Sequence, residues 1–397
     1  MRQAIVCGSG VAGLSAAIAL SRRGWSVDVY ERSPAVREIG AGIFIKGNAQ
    51  RVLKDFDVAD AVRRDCIVLG EARTLDRDGQ LLQRRILRDA TAIWNAKREH
   101  LIRALHDRAT ALGARVYTDS PVEAMSADGT IRIHGQTLQA ELIIAADGVN
   151  SLARRILDLD QPVEGSKSGA IRLLVARTAF EADDIVREFW SGHLRVGICP
   201  CTPHEAFCYF IAPLSDARGS RLPIDKDYWG AYFPKLAAEG LFERAHRAEG
   251  FHHPYPLVRT RSWIKGRVAL VGDAAHALPP TLGQGAGLSL MNTLLLADYV
   301  SSSLDLAEAL AAWQREWRWL SDRTQIWSRR YDWITSEWPH AAYPLRNAII
   351  WAIGKSRRFN SYMRIADRVD APCHRILPAA YFIAPLHEEA PSESKAR

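Results

Sequence analysis

No stretch of this chain approaches the roughly eighteen consecutive apolar residues that a membrane-crossing helix requires. The most apolar candidate, "NAIIWAIG" near residue 350, is short and flanked by Arg and Lys. No leader is expected either. The first strand pattern begins within a few residues of Met1, leaving no space for a charged start, an apolar core and a cleavage site. A cytoplasmic protein without a membrane partner is the expectation. Blocks of Lys or Arg and RNA-binding signatures are also absent, although 52 Lys and Arg against 45 Asp and Glu give a net charge of +7. Basic residues scattered singly draw in small anions rather than nucleic acid, so no nucleic-acid partner is expected. Internal repeats and low-complexity linkers do not occur.

Cysteine is sparse, six in 397 residues, and in a leaderless chain the thiols should be reduced. Cys199, Cys201, His204 and Cys208 fall within ten residues, with Cys199 and Cys201 on one strand face. Their spacing matches no usual zinc pattern, and buried cysteine serves as a small hydrophobe. No metal is expected.

What is present begins with "AIVCGSGVAGLSAAIALSRRGWSVDVYERS". A short β-branched run leads into Gly8, Gly10 and Gly13, then an Ala/Leu-rich helix, then a second strand ending on Glu31, with Arg32 next to it as a further cofactor-binding candidate. Gly8 allows a tight turn, Gly10 lets backbone approach a pyrophosphate, and Gly13 lets the helix pack on the strand. The helix start around Val11 and Ala12 offers free N–H groups to phosphate, and Glu31 suits ribose hydroxyls. The acid argues against a bound 2′-phosphate. Gly40 and Gly42 follow in "REIGAGIFIKG", where a nicotinamide dehydrogenase would start another strand–helix unit.

A second glycine run, "VGDAAHALPPTLGQGAG", lies about 260 residues later. It follows a buried strand ending at Gly272 and Asp273, and a helix is expected from near Leu288. The two prolines before Gly283 exclude a strand leading into it, so this is no second phosphate loop. One long ligand fits better: an adenosine end at Gly8 to Glu31, Asp273 on a sugar chain, and a ring end at Gly283, Gly285, Ala286 and Gly287. There, N–H groups and the helix dipole favour negative charge.

Patterning along the rest implies an α/β fold: a Rossmann-like nucleotide domain interrupted by a mainly antiparallel β domain, with helices at the C-terminus. The segments expected are 1–70, 95–165 and 255–330 for the nucleotide domain, and 71–94 and 166–254 for the inserted sheet. A helical, tryptophan-rich region covers 331–385 and a polar frayed tail 386–397. A single helix is expected from Asn48 to Arg64.

These motifs resemble the p-hydroxybenzoate hydroxylase group, the class A FAD-dependent aromatic monooxygenases. "GSGVAG" with Glu31 matches the first family motif, "DGVNSLAR" the second through Asp147, Gly148 and Arg154, and "GDAAHALPPTLGQGAG" the third. Arg98 in "REHLIRAL" matches an arginine that contacts the flavin. The resemblance spans residues 3 to 330. Within the family, "RLLVAR", "FWSGHLRVGICPC" and Asn292 are similar to the 2-methyl-3-hydroxypyridine-5-carboxylate oxygenases. It implies tightly but non-covalently bound FAD, NAD(P)H as a transient reductant, O2, and a flavin C4a-hydroperoxide that hydroxylates a phenolic or N-heteroaromatic ring, with or without ring opening. Arg195 falls where an arginine helps bind substrate; its other reading is a solvent-facing strand residue. Phe207 stands where those oxygenases carry a tyrosine, Tyr209 offers a hydroxyl on the same strand face, and Pro280 shapes the ring-side wall. His276 is a base or a packed neighbour of the cofactor. A flavin oxidase or reductase, or a tailoring hydroxylase for a larger aromatic, are the alternatives. A monomer or homodimer is expected.

Overall fold

The computed structural model describes residues 2–36, 41–88, 91–339, 342–356 and 363–377. Gly40 and the tail 386–397 lie outside the described residues. The first sheet is built on Gln3–Cys7, with Ser26–Tyr30 and Leu142–Ala145 parallel on either side. Arg115–Tyr117 and Val268–Leu270 extend it in parallel, and Ile264–Lys265 closes one edge antiparallel. The central strands are apolar at nearly every position and buried, as a parallel sheet covered on both faces demands. Helices Val11–Ser21 and Gly285–Ser302 pack on each other, joined by a 2.5 Å hydrogen bond between Ser15 Oγ and Thr293 Oγ1. Both are apolar almost all round, as fully buried helices are.

The second sheet has seven strands, in the order Gly250–Pro254, Ser168–Ala176, Glu205–Pro213, Leu194–Pro200, Ile185–Ser191, Glu71–Asp76 and Leu81–Ile86. All its pairings are antiparallel except that of Ile185–Ser191 with Glu71–Asp76. Strand alternation divides its residues cleanly. Leu173, Val196, Ile198, Cys208 and Phe210 turn to one face and meet Trp229, Phe233 and Phe242 from three short helices. Phe207, Tyr209, Arg195 and Glu188 turn to the other, towards Phe44 and the helix Leu306–Ser336.

A small sheet of Gly42–Ile45, Ile93–Lys97 and Ile67–Leu69 sits between the two larger ones. The division expected between residues 94 and 95 therefore falls inside a strand, because pairing with Gly42–Ile45 keeps Ile93–Lys97 continuous. The helix expected over 48–64 is two, Gly47–Asp55 and Ala59–Arg64, broken where Asp57 adopts φ +61°. The helix expected near Leu288 starts one turn earlier, at Gly285. The tryptophans of Leu306–Ser336 divide by face: Trp313 and Trp317 are buried, Trp319 and Trp333 exposed.

Trp229 is fully buried and stacks on Phe233 at 6.0 Å between ring centroids. Trp229→Ala should lower unfolding free energy by about 3–5 kcal/mol, read as a shifted urea midpoint. An unchanged midpoint would show that the three short helices contribute little to holding the second sheet.

Candidate active site

Two turns that are far apart in sequence meet at the C-terminal edge of the first sheet. Gly8 has φ +103°, and a Cβ there would lie 2.5 Å from Ala146 O; a Cβ on Gly13 would lie 1.8 Å from Gly8 O. The strand and helix are thus closer than any side chain permits. Gly10 caps Val11–Ser21 without a side-chain bond, and its first turn holds no acid, which leaves its N–H groups to an anion. Val11 is buried and Ala12 half-buried there. Glu31 Oε2 accepts from Ser9 N and Ser9 Oγ, both at 2.8 Å, and Oε1 from Ser33 N at 2.8 Å. Burial pushes this carboxyl up, but the hydrogen bonds outweigh it and hold its pKa below the ordinary value. The neighbouring Arg32 is exposed.

Gly272 has φ +60°, and a Cβ on it would fall 2.6 Å from Ala12 Cβ. The late turn therefore lies directly against the first helix. Asp273 follows it. Burial raises its pKa, Arg98 draws it back down, and Arg98 is in turn lowered by its own burial and supported by Asp273. Asp147 Oδ2 accepts from Leu152 N and Ala153 N at 2.7 and 3.1 Å, while its Oδ1 is buried with no partner among the described residues. Next to it, Gly148 has φ +80° and open space where a Cβ would be. Arg154, expected on the cofactor, also forms a brace within the protein. Its guanidinium is committed to Asp160, Ala274 O and Val149 O, tying the central motif to the late one.

At the ring end, Pro280 is exposed and opens the turn Pro280–Leu282, and Gly283 has φ +57°. Gly285–Ser302 begins with no side-chain cap and no acid in its first turn. Gly285 faces open space, Ala286 is half-buried, and a Cβ on Gly287 would strike the Asn48 amide at 2.6 Å. Two uncapped helix starts, an orphaned carboxylate oxygen and glycines that admit no side chain suit a long dinucleotide with a second ring system.

The FAD binding domain family matches residues 1–316. The chain belongs to this family and is an FAD-dependent monooxygenase. It is 36% identical over 329 residues to a Rhodococcus erythropolis protein named "Probable 2-heptyl-3-hydroxy-4(1H)-quinolone synthase", covering 79% of this chain and 83% of that one. A 2-heptyl-3-hydroxy-4(1H)-quinolone synthase of Mycobacteroides abscessus is 33% identical, covering 89% of this chain and 94% of its own. Among solved structures, a tetrameric form of 2-methyl-3-hydroxypyridine-5-carboxylic acid oxygenase superposes with a TM-score of 0.82 at 32% identity, covering 95% of this chain and 99% of that one.

In the monooxygenase the aromatic wall runs from the ring-side turn to the second sheet. Phe44 lies beside Gly283, Phe207 meets Phe44 edge-on at 6.4 Å, and Tyr209 meets Phe207 at 5.8 Å. Gly42 is in contact with this wall: a Cβ there would lie 2.6 Å from the Phe207 ring. Opposite Tyr209 stands Gly197, where a Cβ would fall 1.9 Å from the phenol ring. Tyr209 Oη donates to Glu188 Oε2 at 2.5 Å. Arg195 is neither solvent-facing nor uncompensated. It is 2% exposed, donates to Ser336 Oγ at 3.0 Å, and lies 3.5 Å from Glu188 and 4.0 Å from Asp332. Arg172, the cross-strand neighbour of Tyr209, lies on the Arg98 side, where its charge lowers that arginine. Glu188 and Asp332 escaped the sequence reading. Their signals were an acid on an aromatic strand, and polar residues Ser328, Asp332 and Ser336 recurring every fourth position in a helix.

His276 occupies the packed place rather than the base's. It is 2% exposed, accepts from Asn292 Nδ2 at Nε2 (2.9 Å), and stands against Trp263. Burial lowers its pKa to about 4. The unfolded chain takes up this proton near pH 6.5 and the folded chain only near 4. Its stabilising contribution is therefore whole above 6.5 and lost as pH falls towards 4, at up to ~1.4 kcal/mol per pH unit. Urea unfolding across this window should show that decline, flatter by about one proton in His276→Gln. Equal slopes would mean the imidazole titrates normally.

Proposed function

We propose that this monooxygenase hydroxylates an uncharged N-heteroaromatic ring bearing an N–H or O–H, of the quinolone or hydroxypyridine kind, with NAD(P)H as reductant. The observation that carries this reading is the compensation of Arg195. Two carboxylates and a hydroxyl already surround it, so Arg195 itself offers an incoming carboxylate no unmatched positive charge. The names of the relatives, quinolone synthases and a hydroxypyridine oxygenase, support the same ring class.

Gly8, Gly10, Gly13 and Glu31 would hold the adenosine half of FAD, Asp273 and Arg98 its sugar chain, and Gly283 to Gly287 its ring. When bound, FAD supplies hydride acceptance and oxygen activation. The chain supplies orientation. Because Tyr209 donates to Glu188, its oxygen can only accept from a ligand. Burial first, and then Glu188's charge, hold the phenol's pKa well above the ordinary value, so the phenol keeps its proton and goes on donating to Glu188. A ring N–H or O–H is the matching partner. Its hydrogen bond into Tyr209, continued to Glu188, draws proton density off the ring heteroatom and enriches the ring carbons in electrons. Phe207 and Phe44 exclude water from that face. Arg195 is a positioning residue that fixes Glu188 from behind.

Quinolones and hydroxypyridines without a carboxylate should stimulate NAD(P)H oxidation and yield hydroxylated product. Turnover confined to carboxylated benzoates would overturn the reading. Tyr209→Phe should lower kcat/KM by about a hundredfold while the flavin absorbance of the purified protein stays intact. With an N-methylated, O–H-free analogue, wild type and variant should be equally slow.

A further inference from the structure

Three cationic side chains from separate segments converge beside the ring-side turn, and the proposed chemistry uses none of them. Lys46 follows Gly42–Ile45; its Nζ donates to Leu282 O at 2.5 Å and lies 3.7 Å from where a Cβ on Gly283 would stand. Arg364 precedes the turn Ile365–Arg368, its Nε 3.7 Å from Asp367 Oδ2, and Asp367 is itself bound by Gln284. Arg85 comes from Leu81–Ile86. It shares a strand face with Leu87 and with its cross-strand partner Ala72, both packed in one cluster with Phe44. Lys46 and Arg85 therefore overlook the same ground next to Phe44 and Gly283.

The charges are unbalanced. The groups facing one another here are Lys46, Arg85, Arg364, Asp367 and Tyr331. Among the described residues Asp367 is the single carboxylate of this group, and neither Lys46 nor Arg85 has an ion pair. Arg364's charge lowers Arg85, and burial holds Lys46 down to about 8. Guanidinium groups do not shed protons in proteins. Repulsion of this kind is relieved by an anion, which two arginines and a lysine grip through charge-assisted hydrogen bonds. Arg85 remains accessible to water, so an anion can reach it.

We propose that Lys46, Arg85 and Arg364 form an oxyanion-binding site at the rim of the ring-side cavity, and that it takes the phosphates of the reducing dinucleotide. The choice of dinucleotide rests on the function proposed above; the shared chemistry, a phosphate or carboxylate oxyanion, does not. At that rim the site would hold the dinucleotide by its phosphates, leaving its nicotinamide free to swing in over Phe44.

The test is calorimetric titration of the FAD-loaded protein with inorganic pyrophosphate, with NADP+ and NAD+, and with a pyridine carboxylate. Arg85→Ala and Arg364→Ala should each weaken pyrophosphate and dinucleotide binding about tenfold or more, with Arg85→Lys recovering part of the loss. Flavin absorbance and Tm should not move. If an alanine variant fails to fold, Arg85→Gln and the salt dependence of wild-type pyrophosphate binding carry the same comparison. Loss confined to the pyridine carboxylate would overturn the dinucleotide assignment and give the site to a substrate carboxylate. Unchanged affinity for all probes would overturn the site. Pyrophosphate binding that depends on Arg85, in an enzyme that oxidises no NAD(P)H, would support the site and sink the reductant reading.

Discussion

The approach of Gly272 to Ala12 governs the geometry of the rest. Their backbones are so close that one added methyl group on Gly272 would overlap Ala12 Cβ, and the left-handed φ of that glycine turns the chain straight into Asp273. That turn places Asp273 where the charge of Arg98 lowers its pKa. Because Val11–Ser21 and Gly285–Ser302 are packed along each other, two uncapped helix starts address a common edge of one sheet. Separate them by the width of a side chain and each becomes an isolated anion seat. Neither alone would select a ligand long enough to need both. The brace from Arg154 to Ala274 O adds the central motif to the same assembly.

The second sheet meets this edge through apolar contact on one side and a polar network on the other. Phe207 seats over Gly42, where no side chain could stand, and Arg195 ties the sheet to the helix Leu306–Ser336. Such networks are costly. Arg195 Nε and Asp332 Oδ1 are buried without hydrogen-bond partners among the described residues, and burial raises the Asp332 carboxyl. Apolar residues of similar volume would stabilise that position better. What the network gives in exchange is orientation: Glu188 is gripped by Tyr209, Trp190 and Arg195 together, so its oxygens have one arrangement.

The nucleotide motifs were legible because each residue's task there is local. A glycine after a strand, a helix start and an acid at the next strand's end are set by a few consecutive residues. Arg154 sits in the same kind of motif, yet its bracing bonds are not legible there, since they go to Asp160 and Ala274, which the motif does not contain. Arg195 was open for the same reason: strand alternation gives its face, but its compensation comes from Asp332, 137 positions away across a domain contact. The break at Asp57 was hidden by a helical pattern continuing on both sides of it. Lys46, Arg85 and Arg364 are unremarkable separately, and their repulsion arises from tertiary placement alone.

The departure at Phe207 also becomes physical once the strand is seen. A hydroxyl moved from position 207 to 209 stays on the same face but shifts ~7 Å along the strand. It leaves the neighbourhood of Phe44 and arrives over Gly197, which lacks the side chain that would block it. Glu188, cross-strand to Gly197 on the far side, then accepts the hydrogen bond. Gly197, Tyr209 and Glu188 are therefore one unit spanning three strands, and a tyrosine at 209 without the glycine would have no place to lie. On the proposed function, a ring held by this unit would present its N–H or O–H further from the ring-side turn than one held by a hydroxyl at 207. The fold can match the hydroxypyridine oxygenase closely while the substrate, or the carbon hydroxylated, differs.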